Sequence, residues 1–152
     1  MKTRRELITA STQLAALLAT AGLLPAAAQA AWNGAAFEAK TMAELMKSLG
    51  GSTPVASKDV TITGPDIAEN GAVVPVGASS TLPGVKKLLL LVEKNPSMLA
   101  ASFDITEAID ANVNTRVKMG QSSNVFAVAM MNDGKVLYAS KEIKVTLGGC
   151  GG

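Results

Sequence analysis

The sequence contains no histidine and a single cysteine, Cys150. Without histidine, a Ser/His/Asp or Cys/His nucleophilic site cannot be built, and with one cysteine no His/Cys metal cluster can be assembled. One cysteine also closes no internal disulfide, so the fold must rest on a hydrophobic core. No glycine-rich phosphate loop follows a strand and opens a helix. Asp104, Glu107 and Asp110 remain as carboxylates, but they fall in a turn-like stretch and read as solvating it rather than as an acid–base pair. This is the inventory of a binding or carrier protein, with no catalytic residue, metal site or cofactor of its own.

Charge of one sign is also missing. The chain has 14 basic and 12 acidic residues, but part of the excess belongs to the N-terminal stretch. There Thr3-Arg4-Arg5-Glu6-Leu7-Ile8 precedes a mildly apolar run from Leu14 to Leu24, then Pro25 and Ala28-Gln29-Ala30. A basic region, an apolar region too short to span a bilayer and a small-x-small site, in that order, form an export signal with cleavage expected after Ala30. The paired Arg4 and Arg5 before an alanine-rich apolar region fit the twin-arginine route; an ordinary secretory signal containing two arginines is the alternative. Removing Lys2, Arg4, Arg5 and Glu6 leaves eleven basic and eleven acidic residues. A neutral mature chain offers nothing to nucleic acid or to an anionic membrane surface. The longest apolar run after the signal, Leu88-Leu89-Leu90-Leu91-Val92, is strand-sized, so no membrane span is expected in the mature form.

What is present begins with a helix. Thr41-Met42-Ala43-Glu44 is a capping-box pattern, Met42, Leu45, Met46 and Leu49 follow at helical spacing, and Gly50-Gly51 supplies the stop. The apolar stripe reads as core packing. From Val55 the rhythm changes to strands between turns: Val60–Thr63, Ala72–Val76 after a Glu69-Asn70-Gly71 turn, Val85–Val92, Leu99–Thr106, Val113–Met119 and Val125–Met131. Asn132-Asp133-Gly134 then leads to a long strand from Lys135 to Leu147. About seven strands result. Val113, Thr115, Val117 and Met119 alternate with Asn112, Asn114, Arg116 and Lys118, the pattern of a strand with one dry face. The fold expected is mainly β: an immunoglobulin-like antiparallel β-sandwich preceded by one short helix. The cysteine pair and core tryptophan of antibody domains are absent, so this rests on pattern alone. Pro75 removes a ladder donor and suggests a sheet edge or bulge at residues 73 to 77. The expected organisation is a cleaved signal at residues 1 to 30, a sandwich with its helix at 31 to 147, and a carrier arm at 148 to 152.

That arm, Gly148-Gly149-Cys150-Gly151-Gly152, puts the one thiol between glycine pairs. Glycine adds no side chain to a core and favours a thin, flexible backbone. Five extended residues reach about 17 Å from Leu147, enough to carry a group on sulfur into a neighbouring active-site channel. No activating group flanks Cys150, and a thiol with pKa near 8.5 is only about 3% thiolate at pH 7. Activation must come from whatever receives the arm. The alternative is a cleavable tail that forms an adventitious intermolecular disulfide.

On these residues the chain resembles the SoxY family, the sulfur carriers of periplasmic thiosulfate oxidation. The Thr-Arg-Arg signal, the helix ending at Gly50-Gly51, Ala68-Glu69-Asn70-Gly71-Ala72 with Val74-Pro75-Val76, Glu93-Lys94-Asn95-Pro96, and Val145 through Gly152 carry the resemblance, the terminal motif most specifically. Leu147 is a minor departure. The resemblance implies that Cys150 is the covalent attachment site for thiosulfate and the sulfur intermediates derived from it. A haem enzyme would couple thiosulfate to the thiol, a hydrolase would release sulfate, and in some organisms a sulfur dehydrogenase would oxidise the remaining sulfane sulfur. It also implies a heterodimer with SoxZ, a small β-sandwich subunit without an export signal, which would cross folded with this chain by the twin-arginine route. The interface is expected near Val73–Val76 and Val85–Val92, and Arg116 is either a steering cation for an anionic adduct or a solvated strand-face residue.

Two other classes compete. A ubiquitin-type carrier uses a terminal Gly-Gly thiocarboxylate, which Gly151-Gly152 would supply, but such carriers are cytoplasmic and need no cysteine. An exported β-sandwich assembly or adhesion subunit would use Cys150 for an intermolecular disulfide. A lipid anchor on Cys150 is disfavoured, because Leu147-Gly148-Gly149-Cys150 lies at the wrong end of the chain for a lipobox and no prenylation motif follows.

Overall fold

The computed structural model describes residues 33–146. Two short helices come first, α1 (Gly34–Glu38) and α2 (Met42–Leu49), where one was expected. Asn33 caps α1, its side-chain oxygen accepting from the Ala36 amide at 3.1 Å. The capping box of α2 forms as expected: Thr41 Oγ1 accepts from the Glu44 amide at 3.2 Å, while the Glu44 carboxylate accepts from the amides of Thr41 and Lys40. Those amides, Lys40's first, hold the Glu44 carboxyl below the usual carboxylate range. Gly50 ends the helix in the left-handed region at φ 71°, and the Gly51 amide donates back to the Met46 carbonyl at 2.8 Å.

Nine strands follow among the described residues, two more than expected: β1 (Val55–Ala56), β2 (Val60–Thr63), β3 (Ile67–Ala68), β4 (Val74–Ser80), β5 (Val85–Val92), β6 (Leu99–Asp104), β7 (Asn112–Val117), β8 (Ser123–Met131) and β9 (Val136–Val145). The two extra strands, β1 and β3, have two residues each, too few to show a period. One sheet runs β1-β9-β8-β5-β6 with β3 also on β9; the other runs β2-β4-β7. The long pairings are antiparallel, as expected. β1 and β3 instead lie parallel to successive parts of β9, which makes the first sheet mixed.

The two sheets face each other across one core. Val60, Val74, Val76, Ala78 and Val117 meet Leu88, Leu90, Val92, Val125, Ala127, Ala129 and Ile143. A second core lies on the other face of the larger sheet, where Leu45 and Met46 of α2 pack on Leu89, Leu91, Val128 and Met130. β5 is therefore covered on both faces. That explains why residues 88–92 are continuously apolar and do not alternate. Each of these five side chains is 0% exposed and the strand lies between β8 and β6, so residues 88–92 present no side chain at the surface, whereas Lys86 earlier in the same strand is exposed. β7 keeps the predicted alternation, with Val117 buried and Asn112, Asn114 and Arg116 exposed.

The edge expected at residues 73–77 is also corrected, because β4 is the central strand of its sheet. Pro75 pairs with Arg116 of β7, but β2 turns away at Gly64 after its last pair, Thr63 with Gly77. The Pro75 carbonyl points to that side, lying 3.5 Å from where a Cβ on Gly64 would sit. A residue's N and O share one side of a strand, so the missing donor faces a place where no ladder continues. The proline is tolerated at a locally one-sided stretch of a central strand.

Candidate functional site

The predicted site residues Gly148, Gly149, Cys150, Gly151 and Gly152 lie outside the described residues, as do Arg4 and Arg5. The described structure shows the backbone that leads to Cys150, the C-terminal end of β9, and what holds it. On one side Asp66 to Ala72 runs beside it. The Lys144 amide donates to the Asp66 carbonyl at 3.0 Å, and the Thr146 amide to the Ala68 carbonyl at 3.1 Å, with Ile67 and Ala68 in parallel register against Lys144 and Val145. The Asp66 carboxylate meets Lys141 Nζ at 2.9 Å. This hydrogen bond, with the lysine's charge, holds the carboxyl below its ordinary range.

On the other side the β8 ladder ends at the pair Ser123 and Ile143. One residue before it, Ser122 continues the ladder with its side chain: Oγ accepts from the Val145 amide at 2.9 Å. Gly71 closes the clamp. Its carbonyl accepts from the Met119 amide at 2.7 Å, and a Cβ there would stand 2.4 Å from the Met119 carbonyl oxygen and 2.8 Å from Val145 Cγ1. Only a residue without a side chain lets these three backbone segments approach so closely. Asn70 sets the turn, its Oδ1 accepting from the Ala72 amide at 2.9 Å and its carbonyl from the Val73 amide at 3.3 Å.

The Glu93-Lys94-Asn95-Pro96 segment folds at the same end of the sandwich. The Lys94 amide donates to Ser123 Oγ at 3.1 Å, Asn124 Nδ2 donates to the Glu93 carboxylate at 2.9 Å, and Asn95 Nδ2 donates to the Lys118 carbonyl at 2.7 Å. Two motifs far apart in sequence thus converge where β9 ends. Arg116 and Lys118 are exposed beside them, lining a groove of about 400 Å³ between residues 95–101 and 115–118.

The three carboxylates weighed in the sequence do not come together as a pair. Asp104, at the end of β6, is salt-bridged to Lys87, while Glu107 and Asp110 lie in the exposed connection from β6 to β7 at the opposite end. Among the described residues no three His, Cys, Asp or Glu side chains are grouped to hold a metal ion, and no helix is long and apolar enough to cross a membrane. Sequence reasoning missed Ser122 and the Asp66–Lys141 pair. A lone serine before a strand and an aspartate after a proline carry no periodic signal.

Residues 45–150 match the family model described as sulfur oxidation protein SoxY, a span that ends on Cys150. Among solved structures, the chain is similar to the sulfur carrier protein SoxY from Chlorobium limicola f thiosulfatophilum. The two are 32% identical with a TM-score of 0.61, over 68% of this chain and 93% of that one. A superoxide reductase (neelaredoxin) from Ignicoccus hospitalis shares the fold alone, at 19% identity and a TM-score of 0.51 over 57% of this chain and 80% of that one. None of the curated proteins matches the chain.

Proposed function

The chain belongs to the SoxY family of sulfur oxidation proteins, and from that premise we propose that it is a periplasmic carrier that holds thiosulfate-derived sulfur covalently on Cys150. The observation that carries the reading is the family match running to Cys150, the one thiol in the sequence. The backbone up to Thr146 is hydrogen-bonded on both sides, which suits a fixed base for a moving group. Gly148, Gly149, Gly151 and Gly152 serve as the joints of the arm.

The chemistry asked of the thiol is simple to balance. Cys150 thiolate and thiosulfate join through a new S–S bond, giving Cys–S–S–SO3⁻ and two electrons, which pass to a haem-containing coupling enzyme. Water then attacks the sulfone sulfur in a hydrolase, giving Cys–S–S⁻, sulfate and two protons. A sulfur dehydrogenase is the candidate for oxidising the remaining sulfane sulfur. This chain supplies the thiol and a docking surface, and bond making belongs to the partners. A SoxZ-like subunit completes the carrier as a heterodimer, and residues 1–30, with Arg4 and Arg5, direct twin-arginine export of the folded pair.

Intact mass of the purified heterodimer after turnover with thiosulfate and the coupling enzyme tests the proposal. A thiosulfate-derived mass increase on this chain, lost in Cys150→Ser, is expected. Unmodified Cys150, an adduct that persists in the serine variant, or a stable disulfide-linked oligomer as the only product would overturn it.

A further inference from the structure

An asparagine followed by glycine is prone to lose its side-chain amide, because glycine has no side chain to hinder attack by its own nitrogen on the asparagine. The sequence holds two such pairs, Asn33-Gly34 and Asn70-Gly71. Nothing local separates them. Both asparagines are exposed, and each accepts a following backbone amide with Oδ1, from Ala36 in one case and from Ala72 in the other. The difference lies in the fold.

Ring closure places the glycine nitrogen on the asparagine Cγ, so the asparagine must rotate about its Cα–C bond. That rotation swings the chain before the asparagine against the chain after it. At Asn70 both halves are tied into the sandwich: Ala68 pairs with Val145 before it, and Val74 pairs with Val117 after it. Gly71 cannot move instead, because its carbonyl accepts from the Met119 amide and its Cβ position lies 2.4 Å from the Met119 carbonyl oxygen. Asn70 therefore reaches the reactive geometry only when the end of β9 opens. Asp133-Gly134 could close a similar ring, but its carboxylate is ion-paired with Lys135, and an ionised carboxylate is a poor electrophile.

Asn33 is held from one side. Among the described residues every hydrogen bond it makes runs to a residue after it. When Asn33 rotates, its carbonyl stays with Gly34 and keeps its bond from the Ala36 amide. Only two side-chain bonds break, Oδ1 with the Ala36 amide at 3.1 Å and Nδ2 with the Ser48 carbonyl at 3.3 Å. The rest of α1 can keep its place, with Ala36 and Ala39 buried in the second core and the Phe37 carbonyl accepting from Ser97 Oγ at 2.8 Å.

We propose that Asn33 is a site of spontaneous deamidation in the folded protein and that the fold shields Asn70 from the same reaction. The deprotonated Gly34 nitrogen attacks Asn33 Cγ, Nδ2 leaves as ammonia, and water opens the succinimide at either carbonyl. The products are aspartate and isoaspartate, the second with an extra carbon in the main chain. No oxidant, metal or partner takes part. Either product puts a carboxylate where a neutral amide stood, so the Ser48 carbonyl, in the last turn of α2, loses its donor and meets negative charge. The link from the start of α1 to the end of α2 is lost, while Ser97 still holds α1 to the β5–β6 connection. Cys150 has no part in this chemistry, so the inference stands apart from the carrier reading.

The test holds the purified protein at mildly alkaline pH, native or in urea, and follows each asparagine by peptide mapping with mass spectrometry. Isoaspartate is labelled with isoaspartyl methyltransferase. In urea the two asparagines should convert at rates within about twofold of each other, because the fold no longer distinguishes them. In the native protein Asn33 should convert at least about tenfold faster than Asn70, since opening is nearly free at the end of an element and approaches global unfolding inside a sheet. An acidic form should accumulate on ion exchange and be absent in N33Q, whose longer side chain closes a larger ring far more slowly. Amide exchange along α1 should be faster in the acidic form than in the unconverted protein. Equal native rates at the two asparagines, an Asn33 that converts only in urea, or the same acidic form in N33Q would overturn the assignment. Equal protection of α1 in the two forms would overturn the lost link to α2.

Discussion

Alanine at Gly71 should weaken the C-terminal end of β9, the last described backbone before Cys150. The new methyl would sit 2.4 Å from the Met119 carbonyl oxygen and 2.8 Å from Val145 Cγ1. The first neighbour is backbone, already fixed by the hydrogen bond from the Met119 amide to the Gly71 carbonyl, so it cannot swing away as a long side chain would. Overpacking of this kind costs about 1–3 kcal/mol. Losing a glycine also restricts the unfolded chain, which offsets about 0.4–1 kcal/mol. Gly71 does not have a left-handed φ, so no backbone strain adds to the steric effect.

Gly120→Ala is the internal control. It makes the same chemical change nearby, again without a left-handed φ, but a Cβ there meets nothing within 4 Å. Subtracting the two removes the unfolded-state effect and leaves the clash. Urea denaturation should place G71A about 1–3 kcal/mol below G120A, with a Tm gap of several degrees. Hydrogen exchange at the Val145 and Thr146 amides should be faster in G71A alone. Equal stability of the two variants, or a loss of stability with unchanged protection at those amides, would refute the clamp.

Ser122→Ala removes the side-chain rung that satisfies the Val145 amide and should cost about 1 kcal/mol, with faster exchange at that amide; an unchanged exchange rate would count against the rung. Leu90→Ala, at a fully buried position facing the smaller sheet, should cost about 2–5 kcal/mol by urea denaturation, and a cost under 1 kcal/mol would contradict the two-sheet core. Thr41→Ala should lower stability by about 1 kcal/mol through loss of the α2 cap, read as a lower Tm. Acid should destabilise the fold in a defined direction. Asp66 is depressed chiefly by its hydrogen bond from Lys141, Glu44 by the Lys40 and Thr41 amides, and Asp133 by the Lys135 amide. Each therefore contributes stability that is present above its unfolded pKa and lost as pH falls through its lower folded pKa. The urea midpoint should fall below about pH 4, less steeply in Asp66→Asn; an unchanged slope in that variant would remove the Lys141 pairing from the account.

The elements with a strong local signal were legible. The capping box at Thr41 and the glycine stop at Gly50 describe α2 almost to the residue, and the alternation from Asn112 to Val117 gives both strand and facing. Turn chemistry at Asn132-Asp133-Gly134 joins β8 to β9 as expected, with Gly134 at φ 86°. What failed to show was tertiary. β1 and β3 exist because β9 is long enough to hold both against it, and two residues carry no period. Pro75 signalled an edge, but its position depends on where β2 turns away, which residues 73 to 77 do not encode. The run 88–92 could not say whether both its faces were covered until α2 was placed on one of them.

The motifs behind the family resemblance gain a physical meaning from where they meet. Ala68 and Glu69 offer carbonyls to Thr146, Gly71 lets Met119 and Val145 close over it, and Asn95 ties the neighbouring turn to Lys118. Ala68, Glu69 and Gly71 fix the last rungs of β9 through their backbone, and Asn95 ties down the turn at the same end of the sandwich. Under the proposed carrier function, a base that does not fray keeps the end of β9 at a fixed place relative to the surface a partner would recognise. Among the described residues, hydrogen bonds hold this end of β9 through Thr146, four positions before Cys150.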